Sequence, residues 1–171
     1  TRRIKLGSGL NWNYQMGSLI NQNQLETVQR FVDDAVAKGA TVVTGGTPRP
    51  DLGPFFFEPT VLTDVPVSAE IWREETFGPV APLFRFSTEE EAVRMANDTD
   101  YGLAAYFYAR DVGRIFRVTE ALEYGIVGVN EGIISTEVAP FGGVKSSGLG
   151  REGGHHGIED YLEIKYLCMG I

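Results

Sequence analysis

The run Glu74-Glu75-Thr76-Phe77-Gly78-Pro79 sets two adjacent carboxylates and an aromatic ring in front of a glycine-proline turn. Carboxylate oxygens accept hydrogen bonds from vicinal hydroxyls, and a neighbouring aromatic covers a flat ring, so the group suits a ribose that carries a heterocycle. A solvated turn with one buried phenylalanine uses the same residues, and side-chain chemistry alone balances the two readings. A second run, Pro140-Phe141-Gly142-Gly143-Val144-Lys145-Ser146-Ser147-Gly148-Leu149-Gly150-Arg151-Glu152, is rich in glycine. Paired glycines let one backbone approach another closely. Gly148-Leu149-Gly150 has part of a dinucleotide fingerprint, but that fingerprint follows a strand and opens a helix. The strand before it is expected to end near Asn130, so the stretch is read as a tight loop beneath a site and not as a phosphate cradle. His155-His156 lacks the spaced carboxylate or cysteine partners of a metal site, which favours a solvated loop and no metal.

The single cysteine, Cys168, lies in Tyr161-Leu162-Glu163-Ile164-Lys165-Tyr166-Leu167-Cys168. Large and charged side chains alternate there as in a strand with unlike faces. Nothing adjacent favours a thiolate, so an inert, buried thiol is expected. No catalytic residue is assigned within the chain.

The elements that must position these groups follow from periodicity. Leu25, Val28, Phe31, Val32, Ala35 and Val36 recur at three- and four-residue steps and predict a helix over 22–38, stopped by Gly39. Strands are expected at 41–44, 56–62, 80–86, 103–109 and 126–130. Ser87 with Glu90 forms a capping-box pattern ahead of a second helix, Glu89-Glu90-Glu91 complements its dipole, and Asp111 caps a third helix that Gly125 ends. Strands alternating with helices predict an α/β fold, a largely parallel sheet flanked by helices, with ligands beyond the carboxyl ends of the strands. One body over 1–157 followed by a terminal oligomerisation strand and tail over 158–171 is expected.

Composition narrows the class. The formal charge of -8 comes without a dense basic stripe, which argues against duplex nucleic acid. One cysteine, no apolar span near membrane length and no leader-like segment favour a reducing, cytoplasmic setting.

These two motifs, with Met16-Gly17-Ser18-Leu19-Ile20-Asn21 and Val129-Asn130, resemble the aldehyde dehydrogenase superfamily over essentially the whole chain. Tyr101-Gly102-Leu103-Ala104-Ala105-Tyr106-Phe107-Tyr108-Ala109-Arg110, Glu131-Gly132-Ile133-Ile134-Ser135 and the segment 157–166 are most similar to its succinate-semialdehyde dehydrogenases. Ser18, where that family commonly has proline, departs from it only locally. The resemblance implies the C-terminal part of a catalytic domain. It also implies NAD or NADP as cofactor, and an aldehyde substrate oxidised through a cysteine thioester. Position by position, Glu75 would bind the nicotinamide ribose hydroxyls and Phe77 would pack near the nicotinamide. Ser135 would bind the distal carboxylate of the substrate and Phe141 would line the aldehyde pocket. The nucleophile, the general base, most cofactor contacts and the arginines that assist Ser135 would all precede Thr1, so the isolated chain is expected to be inactive. Two other readings stand beside this one: a dehydrogenase of another ω-carboxylated aldehyde such as glutarate semialdehyde, and a noncatalytic assembly module acting through the terminal strand as a homo-oligomer.

Overall fold

Asn21 starts the longest helix because its extended backbone and short amide leave Oδ1 to accept the Gln24 N–H at 2.9 Å. Helix α1 (Gln22–Ala37) then buries Leu25, Val28, Phe31, Val32 and Ala35 on one face, and Gly39 leaves it in the left-handed region at φ +107°. The computed structural model describes residues 1–9 and 12–170, which divide into two compact units, Thr1–Arg85 and Phe86–Ile171.

In the first unit, β1 (Thr41–Thr44), β2 (Thr60–Thr63) and β3 (Val80–Pro82) form a sheet in that order, antiparallel between β1 and β2 and parallel between β2 and β3. The buried face of α1 packs with Phe57, Leu62, Val65, Ala69 and Ile71 to make the core. Thr60 is buried with its hydroxyl satisfied twice, accepting from Gly46 N–H at 2.8 Å and donating to the Glu58 carbonyl at 2.7 Å. A 3-10 turn (Glu70–Trp72) is fastened to α1, since the Asp34 carboxylate accepts the Glu70 N–H at 2.7 Å.

The second unit contains α2 (Glu89–Asn97), β4 (Tyr101–Gly102), β5 (Ala104–Phe107), α3 (Val112–Ala121), β6 (Ile126–Val129) and β7 (Val144–Lys145). Strand β5, helix α3 and strand β6 form the expected parallel unit, paired from Ala104 with Ile126 to Phe107 with Val129. Strands β4 and β7 pair antiparallel. Asp111 caps α3, accepting the Arg114 N–H at 2.7 Å, and Glu89 joins α2 to α3 through Arg114 and Arg117.

Three expectations are corrected. The sheets are small and mixed, one of three strands and two of two, where a single largely parallel sheet was expected. The cap of α2 is Thr88, whose hydroxyl accepts the Glu91 N–H at 3.1 Å, while Ser87 N–H donates to the Glu91 carboxylate at 2.7 Å. The terminal segment is a 3-10 turn (His156–Tyr161) followed by an exposed segment over 162–170 that joins none of the described strands, and Cys168 is exposed there. An extended segment becomes a strand only by exchanging ladder hydrogen bonds, and alternation of side chains does not provide a partner.

Candidate functional site

Glu75 and Phe77 lie on the loop between the 3-10 turn and β3, and the loop is anchored at each end. Glu74 N–H donates to the Glu70 carbonyl at 3.0 Å, and Thr60 N–H donates to the Pro79 carbonyl at 2.7 Å. Between these anchors, the Gln24 side-chain amide donates to the carbonyls of Thr76 at 2.8 Å and Phe77 at 3.2 Å. Gly78 has no room for a side chain because a Cβ there would collide with Val28. Phe77 takes a left-handed backbone, φ +37°, and is 76% exposed. A buried phenylalanine in a solvated turn is therefore not what the loop contains. An accessible carboxylate at Glu75 stands two residues from an outward aromatic, and both are open to a ligand.

Ser135 and Phe141 belong to the second unit. Beyond the carboxyl end of β6, Asn130 sits at φ +56° and closes a two-bond ring with the Ala109 backbone, accepting at 2.9 Å and donating at 2.7 Å. Glu131 then accepts the N–H groups of Gly132 at 2.8 Å and Ile133 at 3.0 Å. Those donors, Ile133 foremost, hold its carboxyl below the usual glutamate range. Gly128 of β6 leaves space that the Ile134 side chain approaches, since a Cβ there would lie 2.9 Å from Ile134 Cγ2. The next residue, Ser135, is exposed, and the segment 131–141 contains no lysine or arginine to accompany its hydroxyl.

Phe141 is fixed by two backbone bonds with Glu152, at 2.6 and 2.7 Å, and is 38% exposed. The glycines after it serve close backbone approach, as their pairing predicts: a Cβ on Gly125 would overlap the Gly142 carbonyl, and one on Gly143 would lie 3.2 Å from the Gly102 carbonyl. Arg151 closes the loop, donating from Nη1 to the carbonyls of Gly143 at 2.8 Å and Gly150 at 2.7 Å. The Glu75–Phe77 loop is thus one constellation within the first unit. The loops carrying Ser135 and Phe141 lie within the second.

The sequence pointed to Glu75, Phe77, Ser135 and Phe141 and not to Gln24, Asn130 and Glu131, which shape the loops. Asn130 and Glu131 stand inside quoted motifs, but their bonds run to backbone groups and no side-chain pattern marks them. Gln24 is 52 residues from Thr76, with nothing in the chain between to connect them.

The aldehyde dehydrogenase family model matches residues 1–167. A glutarate-semialdehyde dehydrogenase of Pseudomonas aeruginosa is 58% identical over 98% of this chain, and a succinate-semialdehyde dehydrogenase [NADP(+)] of Escherichia coli is 58% identical over 99% of it. A crystal structure of succinate-semialdehyde dehydrogenase from Burkholderia pseudomallei, also 58% identical, superposes with a TM-score of 0.95 over 99% of the chain. The chain spans 35% of the length of each of these proteins. By sequence and by fold, the chain belongs to the aldehyde dehydrogenase family.

Proposed function

We propose that this chain supplies the C-terminal part of the catalytic portion, over 1–157, of an NAD(P)-dependent dehydrogenase that oxidises an ω-carboxylated aldehyde, succinate semialdehyde first among them. The observation that carries this reading is the Glu75–Phe77 loop, which pairs an exposed carboxylate with an exposed aromatic held in left-handed backbone. An exposed carboxylate suits the vicinal hydroxyls of a ribose, and an outward ring suits the face of a heterocycle. A bound nicotinamide would supply the acceptor for the hydride of the aldehyde carbon.

The chain's own residues bind and orient. Glu75 accepts from the nicotinamide ribose hydroxyls and Phe77 flanks the nicotinamide. The Ser135 hydroxyl donates to the distal carboxylate of the aldehyde, and Phe141 lines the aldehyde pocket. The attacking thiolate and the base that activates water are assigned to residues outside this chain, which spans 35% of the length of the relatives it matches. Residues 158–171 serve association with a second copy, and those described beyond the 3-10 turn, 162–170, are exposed. Among the described residues no helix is long and apolar enough to cross a membrane, and a cytoplasmic location fits the single free cysteine.

The test is made on the full-length protein. Ser135→Ala is expected to raise KM for succinate semialdehyde by about tenfold, the worth of one hydrogen bond to a charged group, and to leave butanal, which lacks the carboxylate, unchanged. An equal effect on both aldehydes would end the assignment of Ser135. A second reading, glutarate semialdehyde, is favoured by a relative of that name as similar as the succinate-semialdehyde enzymes. One methylene discriminates by only about 1–3 kcal/mol, so kcat/KM for both aldehydes decides between them.

A further inference from the structure

We infer that Gln24 is a positioning residue for cofactor binding, setting the conformation of the loop that carries Glu75 and Phe77; this rests on the role given to that loop above.

The side-chain amide of Gln24 meets two carbonyl oxygens, those of Thr76 at 2.8 Å and Phe77 at 3.2 Å. An amide nitrogen has two hydrogens to give, whereas its oxygen would face two like dipoles, so the network places the nitrogen on this side. The two carbonyls belong to the peptide planes on either side of the Phe77 Cα. Pinning both planes to one nitrogen therefore fixes φ and ψ of Phe77 together. That is the residue whose φ of +37° is uncommon for any side chain with a Cβ and persists only where the surroundings impose it.

The anchor itself is rigid. Gln24 stands in the first turn of α1, its N–H taken by the Asn21 cap at 2.9 Å, and it is followed by buried Leu25 and Val28. Val28 in turn fills the space beside Gly78. One helix face thus holds the loop by a polar contact on Thr76 and Phe77 and by an apolar one on Gly78. Glu75 is bonded covalently to the first residue so held. The arrangement lets a residue that need not touch the cofactor decide where the carboxylate and the ring are presented.

The experiment uses the full-length protein with Gln24→Ala, Gln24→Glu and Glu75→Gln, and a double-mutant cycle between Gln24→Ala and Glu75→Gln. The hydride-transfer rate is followed by reduced-cofactor absorbance, with aldehyde deuterated at its aldehyde carbon as the isotopic probe. Gln24→Ala keeps a good helix former and is expected to slow hydride transfer about tenfold, for the loss of two hydrogen bonds that orient the loop. The isotope effect should rise and aldehyde KM should stay unchanged. Gln24→Glu, which turns an acceptor toward both carbonyls, should slow transfer at least as much. In the cycle, the double variant should lose less than the product of the single losses, because both act through one loop. Loss with Glu75→Gln but none with either Gln24 variant overturns the Gln24 assignment alone, as does a double loss equal to the product. No loss with Glu75→Gln overturns the reading of the loop and this inference with it.

Discussion

The Asn130 side chain forms a closed pair with the backbone of Ala109, taking its N–H at 2.9 Å and giving a hydrogen to its carbonyl at 2.7 Å. The pair extends the β5–β6 ladder by one rung after Phe107 and Val129, where Asn130 has already turned to φ +56°. Asparagine suits this place because its short amide mimics a backbone strand and it tolerates left-handed backbone. The substitution Asn130→Gly keeps the backbone freedom and removes both side-chain bonds. It is expected to cost about 1–2 kcal/mol, read as a lower urea midpoint at unchanged slope.

Gly125 admits no larger residue. A methyl group there overlaps the Gly142 carbonyl and lies 2.9 Å from the Gly143 Cα, and both obstacles are backbone. Gly125→Ala should destabilise by more than about 3 kcal/mol, as overpacking against backbone does. Gly132→Ala is the control, because a Cβ there meets nothing within 4 Å. Thermal melts of the two variants should separate widely.

The loop after β6 is predicted to respond to acid through Glu131. Its carboxyl is held below the usual value of 4.5 by the N–H groups of Ile133 and Gly132. A group depressed in the folded state stabilises fully above its unfolded value, and that contribution is lost as pH falls through the depressed folded value. The amide proton shifts of Ile133 and Gly132 should therefore titrate with a midpoint below the usual glutamate value. In Glu131→Gln the same shifts should show no such step.

Much of this was legible in the sequence wherever the determinant is local. The five residues that α1 buries all stand in its apolar stripe, with Val36 the stripe's exposed margin. Asp111 caps α3 as its position before Val112 predicts, and the β5–α3–β6 unit follows from alternation. The cap of α2 was ambiguous for a local reason: Ser87 and Thr88 are adjacent hydroxyls, and Glu90 and Glu91 each stand three residues beyond one of them. Pairing between strands was not legible, because β2 accepts one neighbour antiparallel and the other parallel through partners far along the chain. The tail over 162–170 has the side-chain alternation of a strand without the ladder that defines one. Among the candidate site residues, Glu75 and Phe77 stand out by chemistry, while the bonds that Gln24 gives to the carbonyls of Thr76 and Phe77 follow from no spacing rule.

The convergence of Gly102, Gly125, Gly142 and Gly143 has a consequence for variation. At Gly125 the obstacle is main chain, which no compensating side-chain change removes, and Gly102 meets the Glu123 carbonyl in the same way at 2.5 Å. The alphabet at such positions has one letter. A few residues away, a Cβ on Gly132 meets nothing within 4 Å, so no backbone obstacle restricts that position. Change can therefore accumulate at Gly132 while the backbone beneath Phe141 stays fixed.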